Sequence, residues 1–137
     1  MKRISSLFLL GFIAFTLFSC KKTDADVSPS LAGKWKLVEV FDGYLNGGSF
    51  TWVTVSTENS HELTFTLAGA YTRQDNLNGN YQLCSGTYTR NNNDIQVMTN
   101  CNSSALPYTI TELSANQLIL DRSTPEGKRR YKYVSVG

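Results

Sequence analysis

The sequence predicts an antiparallel all-β domain of eight or nine strands, and three observations carry that prediction. From Lys34 onward no window longer than ten residues repeats apolar positions at helical spacing, so no substantial helix is expected in the domain. From Lys34 onward, Thr, Val, Tyr and Phe recur, the residues that suit a pleated, half-buried surface. Gly and Asn clusters punctuate them at the turn spacing of a β-barrel or sandwich. Strands are expected near 34–41, 49–57, 61–67, 70–76, 81–90, 94–101, 106–113, 117–122 and 129–136.

The residues ahead of the strands read as an address and a tether. Lys2 and Arg3 precede an apolar run from Leu7 to Phe18, twelve residues broken only by Gly11 and Thr16. A membrane span needs about 20 residues, so the run suits a signal peptide instead. It ends in Leu17-Phe18-Ser19-Cys20, which resembles the lipobox of bacterial lipoproteins, with Phe18 bulkier than the small residue usual at that place. The resemblance implies removal of residues 1–19 and lipid on the sulfur and new α-amine of Cys20. Residues 20–30 show no apolar periodicity and form a polar tether whose last ten residues reach at most ~35 Å. Lys21 stands where an Asp would retain such a protein in the inner membrane, which implies a lipid-anchored protein of the cell envelope, sorted to the outer membrane. The folded domain is expected over 31–137.

The net charge of +2 belongs to the signal. Removing Lys2 and Arg3 from the 13 Lys and Arg leaves eleven, against 11 Asp and Glu. A balanced domain lacks the basic surplus a nucleic-acid partner requires.

In the first strand, Ser28-Pro29-Ser30-Leu31-Ala32 reads as one helical or 3₁₀ turn, with Ser28 as cap and Pro29 at the first position. Gly33 then turns the chain into a strand whose Trp35 and Leu37 share a face. Glu39 and Phe41 continue that face, which puts a carboxylate among core residues. Either Glu39 meets a polar cavity, or a bulge near Val38 switches the faces and brings Val38 and Val40 inside. The segment Asp42–Gly48 is long and glycine-rich for a hairpin.

Leu63, Phe65 and Leu67 alternate with Thr, and a three-residue loop Leu67-Ala68-Gly69 with a left-handed Gly69 sets Phe65 opposite Tyr71. In the next hairpin Asn92-Asn93 form the loop, so that Asn91 faces Asp94 and Tyr88 faces Val97. The same register sets Gly86 against Thr99 and Cys84 against Cys101, as a non-hydrogen-bonded pair with Cα atoms about 4.5 Å apart. Export to an oxidising compartment makes Cys84–Cys101 a disulfide, worth on the order of 3 kcal/mol. A third hairpin turns at Ala115-Asn116, with Thr109, Thr111 and Leu113 on one face and Ile110 and Glu112 on the other. Pro125 and Gly127 mark the last turn, and the final strand ends the chain as a barrel-closing strand would.

Gly33-x-Trp35 after a short turn, together with the Phe65–Gly69–Tyr71 hairpin, resembles the lipocalins and the small bacterial lipocalin-like lipoproteins. The resemblance implies an up-and-down β-barrel whose base is plugged by the short turn, with Trp35 packed beneath the core. It also makes the loop after Asp42 either a lid over the barrel mouth or a plain surface loop.

Arg129-x-Tyr131-x-Tyr133 places a guanidinium and two phenols on one face, and resembles the Arg-x-Tyr pair with which fatty-acid-binding proteins hold a carboxylate. The alternative is architectural: Arg129 or Arg130 lies across the Trp35 indole, as a late basic residue does in lipocalins. Tyr71 and Tyr88, with Glu39, are further candidates to line a cavity, and equally suit core and rim. His61, the single histidine, has no nucleophile motif with it, and two Cys plus His61 make a poor zinc set. An enzyme would need His61, Glu39 or Asp75 gathered in one cleft. No catalytic residue, metal or cofactor is therefore expected. The function these features imply is binding of a small hydrophobic or amphipathic ligand; the alternative is a filled barrel acting through protein contacts, as a structural module or an enzyme inhibitor.

Overall fold

The structure, a computed structural model, describes residues 29–44 and 51–137. The signal segment, Cys20, the tether as far as Ser28 and the loop 45–50 lie outside the described residues. Among the described residues nine strands follow in order: β1 (Gly33–Tyr44), β2 (Val53–Thr54), β3 (His61–Phe65), β4 (Ala70–Leu77), β5 (Asn80–Asn91), β6 (Asp94–Thr99), β7 (Leu106–Leu113), β8 (Gln117–Thr124) and β9 (Gly127–Ser135).

Strands β3 to β9 pair antiparallel in chain order, β3 pairs with β1, and β9 returns along β1 from Tyr44↔Gly127 to Trp35↔Ser135. The result is a closed eight-stranded barrel, which leaves no open edge along its wall. Strand β2 is an extra strand laid on the upper part of β1 at Glu39↔Thr54 and Val40↔Val53.

The two hairpin registers hold as expected. Phe65 pairs with Tyr71 around a loop in which Gly69 has φ 85°, and Asn91 pairs with Asp94 beside Asn92 at φ 54°. That second register carries Tyr88↔Val97 and Gly86↔Thr99, and Cys84 is bonded to Cys101. The cysteine Cα atoms are 5.5 Å apart, wider than the expected pair, because β6 ends at Thr99 and Cys101 lies in the turn beyond it.

The lower half of the barrel is solid. Leu31, Trp35, Phe65, Tyr71, Ile95, Val97, Ile110, Leu118 and Leu120 pack into one cluster, all nearly inaccessible to solvent. Trp35 closes the base by donating its indole N–H to the Leu31 carbonyl at 2.9 Å, so its one polar atom is satisfied where it is buried.

Four expectations need correction. Of the strand expected over 49–57, the described residues 51–57 form only Val53–Thr54, and Thr57–Asn59 forms a 3₁₀ turn instead, since Ser56-Thr57-Glu58-Asn59-Ser60 has no apolar alternation to bury. No helical turn forms over residues 29–32, where Leu31 is a bend whose carbonyl serves Trp35. A bulge between Ile110 and Glu112 shifts the pairing of β7 with β8, so Ile110 and Leu113 both pack on the core and the expected sharing of a face by Thr111 and Leu113 fails. No basic side chain of β9 covers Trp35: Arg130 lies over Phe41 at 5.9 Å and Lys132 over Trp52 at 4.3 Å, both on the outer wall.

Candidate functional site

Above the solid base the barrel opens into a cavity of about 420 Å³. Period-two alternation decides what reaches it. On β4 the inward row is Tyr71, Arg73, Asp75 and Leu77; Tyr71 belongs to the packed base, and the other three line the cavity. On β9 the inward row is Arg129, Tyr131 and Tyr133, on β8 it ends in Arg122, and β7 contributes Tyr108. Leu37, Val40, Val55 and Leu63 supply an apolar wall on the β1–β3 side.

Val40 lines the cavity because of a bulge in β1. The pairing with β9 shifts between Leu37 and Glu39, leaving Val38 as the extra residue. Every later side chain of β1 changes face, so Glu39 points outward to an ion pair with Lys132. Of the two readings of Glu39, the bulge is the one realised, although it brings only Val40 inside and leaves Val38, expected there too, out of both core and cavity.

The cavity floor is polar and paired within itself. Arg73 Nε lies 2.9 Å from both oxygens of Asp75, whose carboxylate is nearly inaccessible to solvent. Burial works against the Arg73 charge, and the hydrogen bond and charge of Asp75 outweigh it, so its pKa is raised. Beside this pair, His61 Nε2 is 2.9 Å from the Tyr133 hydroxyl, and Nδ1 is 3.8 Å from Asp75 Oδ1. Burial, and then Arg73, bring the His61 pKa down to about 4, against the opposing pull of Asp75. Burial also pushes the phenols of Tyr108 and Tyr133 up, so both are neutral donors at neutral pH.

At the rim, Arg129 grips Asp42 with Nε at 2.5 Å and Nη2 at 3.2 Å from its two oxygens. Asp42 and Arg129 are Cα partners across β1 and β9, so the barrel seam sets this pair. The Asp42 hydrogen bond is the largest influence raising the Arg129 pKa.

The candidates read from the sequence divide cleanly. Arg129, Tyr131 and Tyr133 line the cavity. Glu39 is on the outer wall, Tyr71 packs edge-on to Phe65 in the base, and Tyr88 also meets Phe65 edge-on while donating its hydroxyl to the Thr66 carbonyl. His61 and Asp75 do share one cleft, without Glu39. Arg73, Tyr108 and Arg122 are additions. A signal for Arg73 and Asp75 was present: with Tyr71 facing inward opposite Phe65, every second residue of β4 must follow it.

Against the curated proteins, no sequence match is found. Among solved structures, the barrel is similar to a lipocalin-like protein from Bacteroides uniformis, with TM-score 0.57 and 16% identity over 77% of this chain and 98% of that one. It is similar also to an uncharacterized protein from Bacteroides eggerthii, with TM-score 0.56 and 17% identity over 78% of this chain and 100% of the other. At such identities the likeness concerns fold alone. The family model of the lipocalin-like domain matches residues 31–120, from the buried Leu31 to the buried Leu120 midway along β8. The chain belongs to the lipocalin-like domain family.

Proposed function

We propose that this protein is a lipid-anchored binding protein of the bacterial cell envelope, held by Cys20 to the outer membrane, and that it carries a small amphipathic ligand in the upper half of its barrel. The observation that carries the reading is the cavity of about 420 Å³ with an apolar wall and a polar floor. Its volume falls within the roughly 300–1,000 Å³ of small-molecule sites. A barrel filled by its own side chains to the top would have favoured the protein-contact alternative. One feature favours the alternative, the exposed Tyr81 and Leu83 side by side on the outward row of β5.

Native mass spectrometry of the chain from Thr23 onward, purified from a bacterial periplasm, tests the reading. A co-purifying small molecule, lost when Tyr131 is changed to Ala, is the expected result. A clean apo mass, with no thermal shift across a panel of fatty acids and hydrophobic metabolites, would turn the reading toward protein contact. The anchor has its own test: metabolic labelling with a radioactive fatty acid should mark the full chain and not its Cys20→Ser variant.

A further inference from the structure

We propose that Arg122 is the anchor for the ligand's head group, and that the head group is a carboxylate. This rests on the reading of the cavity as a binding site. Arg73 is matched by Asp75, and Arg129 by Asp42. His61 is neutral at neutral pH, and the phenols of Tyr108 and Tyr133 keep their protons. Arg122 is left, half-buried on the inward row of β8, with no hydrogen bond or ion pair among the described residues. Its cross-strand Cα partner is Arg129, a like charge, and directly opposed like charges destabilise a sheet. The loop 45–50 contains no acidic residue that could answer it.

A guanidinium in this position lacks full hydration and, among the described residues, a counter-charge, and an arriving anion supplies the second. The planar fork of Arg matches a carboxylate through two parallel N–H···O bonds. The rest of the cavity dictates the remainder of the ligand. The polar floor is satisfied within itself, so it offers the ligand little, whereas Leu37 and Val40 on β1, the strand beyond β9, and Leu63 on β3 supply an apolar wall. A chain with its carboxylate at Arg122 and its apolar tail against those three residues fits both features. Arg122 thus takes the role that the sequence motif assigned to Arg129, whose fork is already occupied by Asp42.

The test compares two probes with one tail, cis-parinaric acid and its alcohol, by fluorescence titration of the chain from Thr23 onward. That chain contains the whole closed barrel and its core, Leu31 to Tyr133. The acid is expected to bind roughly tenfold to a hundredfold more tightly than the alcohol, the range of a hydrogen bond to a charged group. Its advantage should shrink with added salt, and Arg122→Gln should bring the acid down to the alcohol while leaving the alcohol unchanged. Arg122→Lys should keep part of the difference. Equal binding of both probes to the unaltered protein, or an equal loss of both in Arg122→Gln, overturns the inference and leaves the binding reading standing. Failure of both probes to bind overturns the binding reading and the inference together. The comparison within the unaltered protein and its salt dependence need no variant, so a poorly folding substitution does not stall the test.

Discussion

The Tyr133 hydroxyl and His61 Nε2 meet at 2.9 Å although 72 residues separate them in the chain, tying the last strand to β3 on the cavity floor. With Nδ1 facing the Asp75 carboxylate at 3.8 Å, the ring proton belongs on Nδ1, and Nε2 accepts the phenol's hydrogen. Protonating the ring would charge a buried group close to Arg73, and these two effects bring the His61 pKa to about 4 against the opposing pull of Asp75.

The first prediction is a pH dependence of stability. Unfolding returns His61 from about 4 to its ordinary 6.5, so between those values the unfolded chain holds a proton the folded chain lacks. The stabilisation is complete above pH 6.5 and falls as pH drops toward 4, by on the order of 3 kcal/mol from this group. Urea unfolding midpoints across pH 4 to 8 measure it. In His61→Gln that portion of the slope should vanish, and an unchanged slope would assign the titration to another residue.

Asp75 and Arg73 should be far more costly to separate than to replace together. Asp75→Asn strips the counter-charge from a guanidinium whose other neighbours are the cavity wall, and about 2 kcal/mol or more of stability should be lost. The double change Arg73→Met, Asp75→Leu removes both charges and should cost less than Asp75→Asn alone. A double-mutant cycle read by urea denaturation checks this, and simple additivity would show that the pair is not coupled.

Gly86 is expected to tolerate no side chain. Its Cβ would lie 1.8 Å from the Met98 carbonyl oxygen and 2.8 Å from the Thr99 Cα, and backbone atoms in a paired ladder have nowhere to go. Gly86→Ala should therefore lower stability by about 3 kcal/mol or more. Ser85→Ala, at the neighbouring exposed position, should stay within roughly 0.5 kcal/mol. Equal thermal midpoints for the two variants would contradict the close approach of β5 and β6.

Most of the wall was legible in the sequence because a strand's face depends only on parity once one pair is fixed. Phe65 opposite Tyr71 and Asn91 opposite Asp94 fix β3 to β6 with no knowledge of the rest. Parity breaks at bulges. Thr111 moved Leu113 to the core face, and in β1 the cost of a buried Glu39 left a polar cavity or a bulge near Val38 as two open readings, of which the bulge formed. The site was legible only where one strand carries it, as in Arg129, Tyr131 and Tyr133. Whether an inward arginine is free or spoken for depends on residues brought in from elsewhere, and no local pattern joins Asp42 to Arg129 across 87 residues.

The disulfide offers the last prediction, because it separates stability from the site. Cys84 is buried and Cys101 exposed, and neither lines the cavity. Their bond closes a loop with a sequence separation of 17, for which the chain-entropy account gives about 3 kcal/mol. Cys84→Ala with Cys101→Ala should lose about that much in urea unfolding while keeping ligand affinity unchanged. The intact mass of the unaltered protein should fall two hydrogens short of its reduced form. A loss well under 1 kcal/mol would mean that the Asn91–Asp94 hairpin already holds the unfolded chain in this register, so that the cross-link has little freedom left to remove.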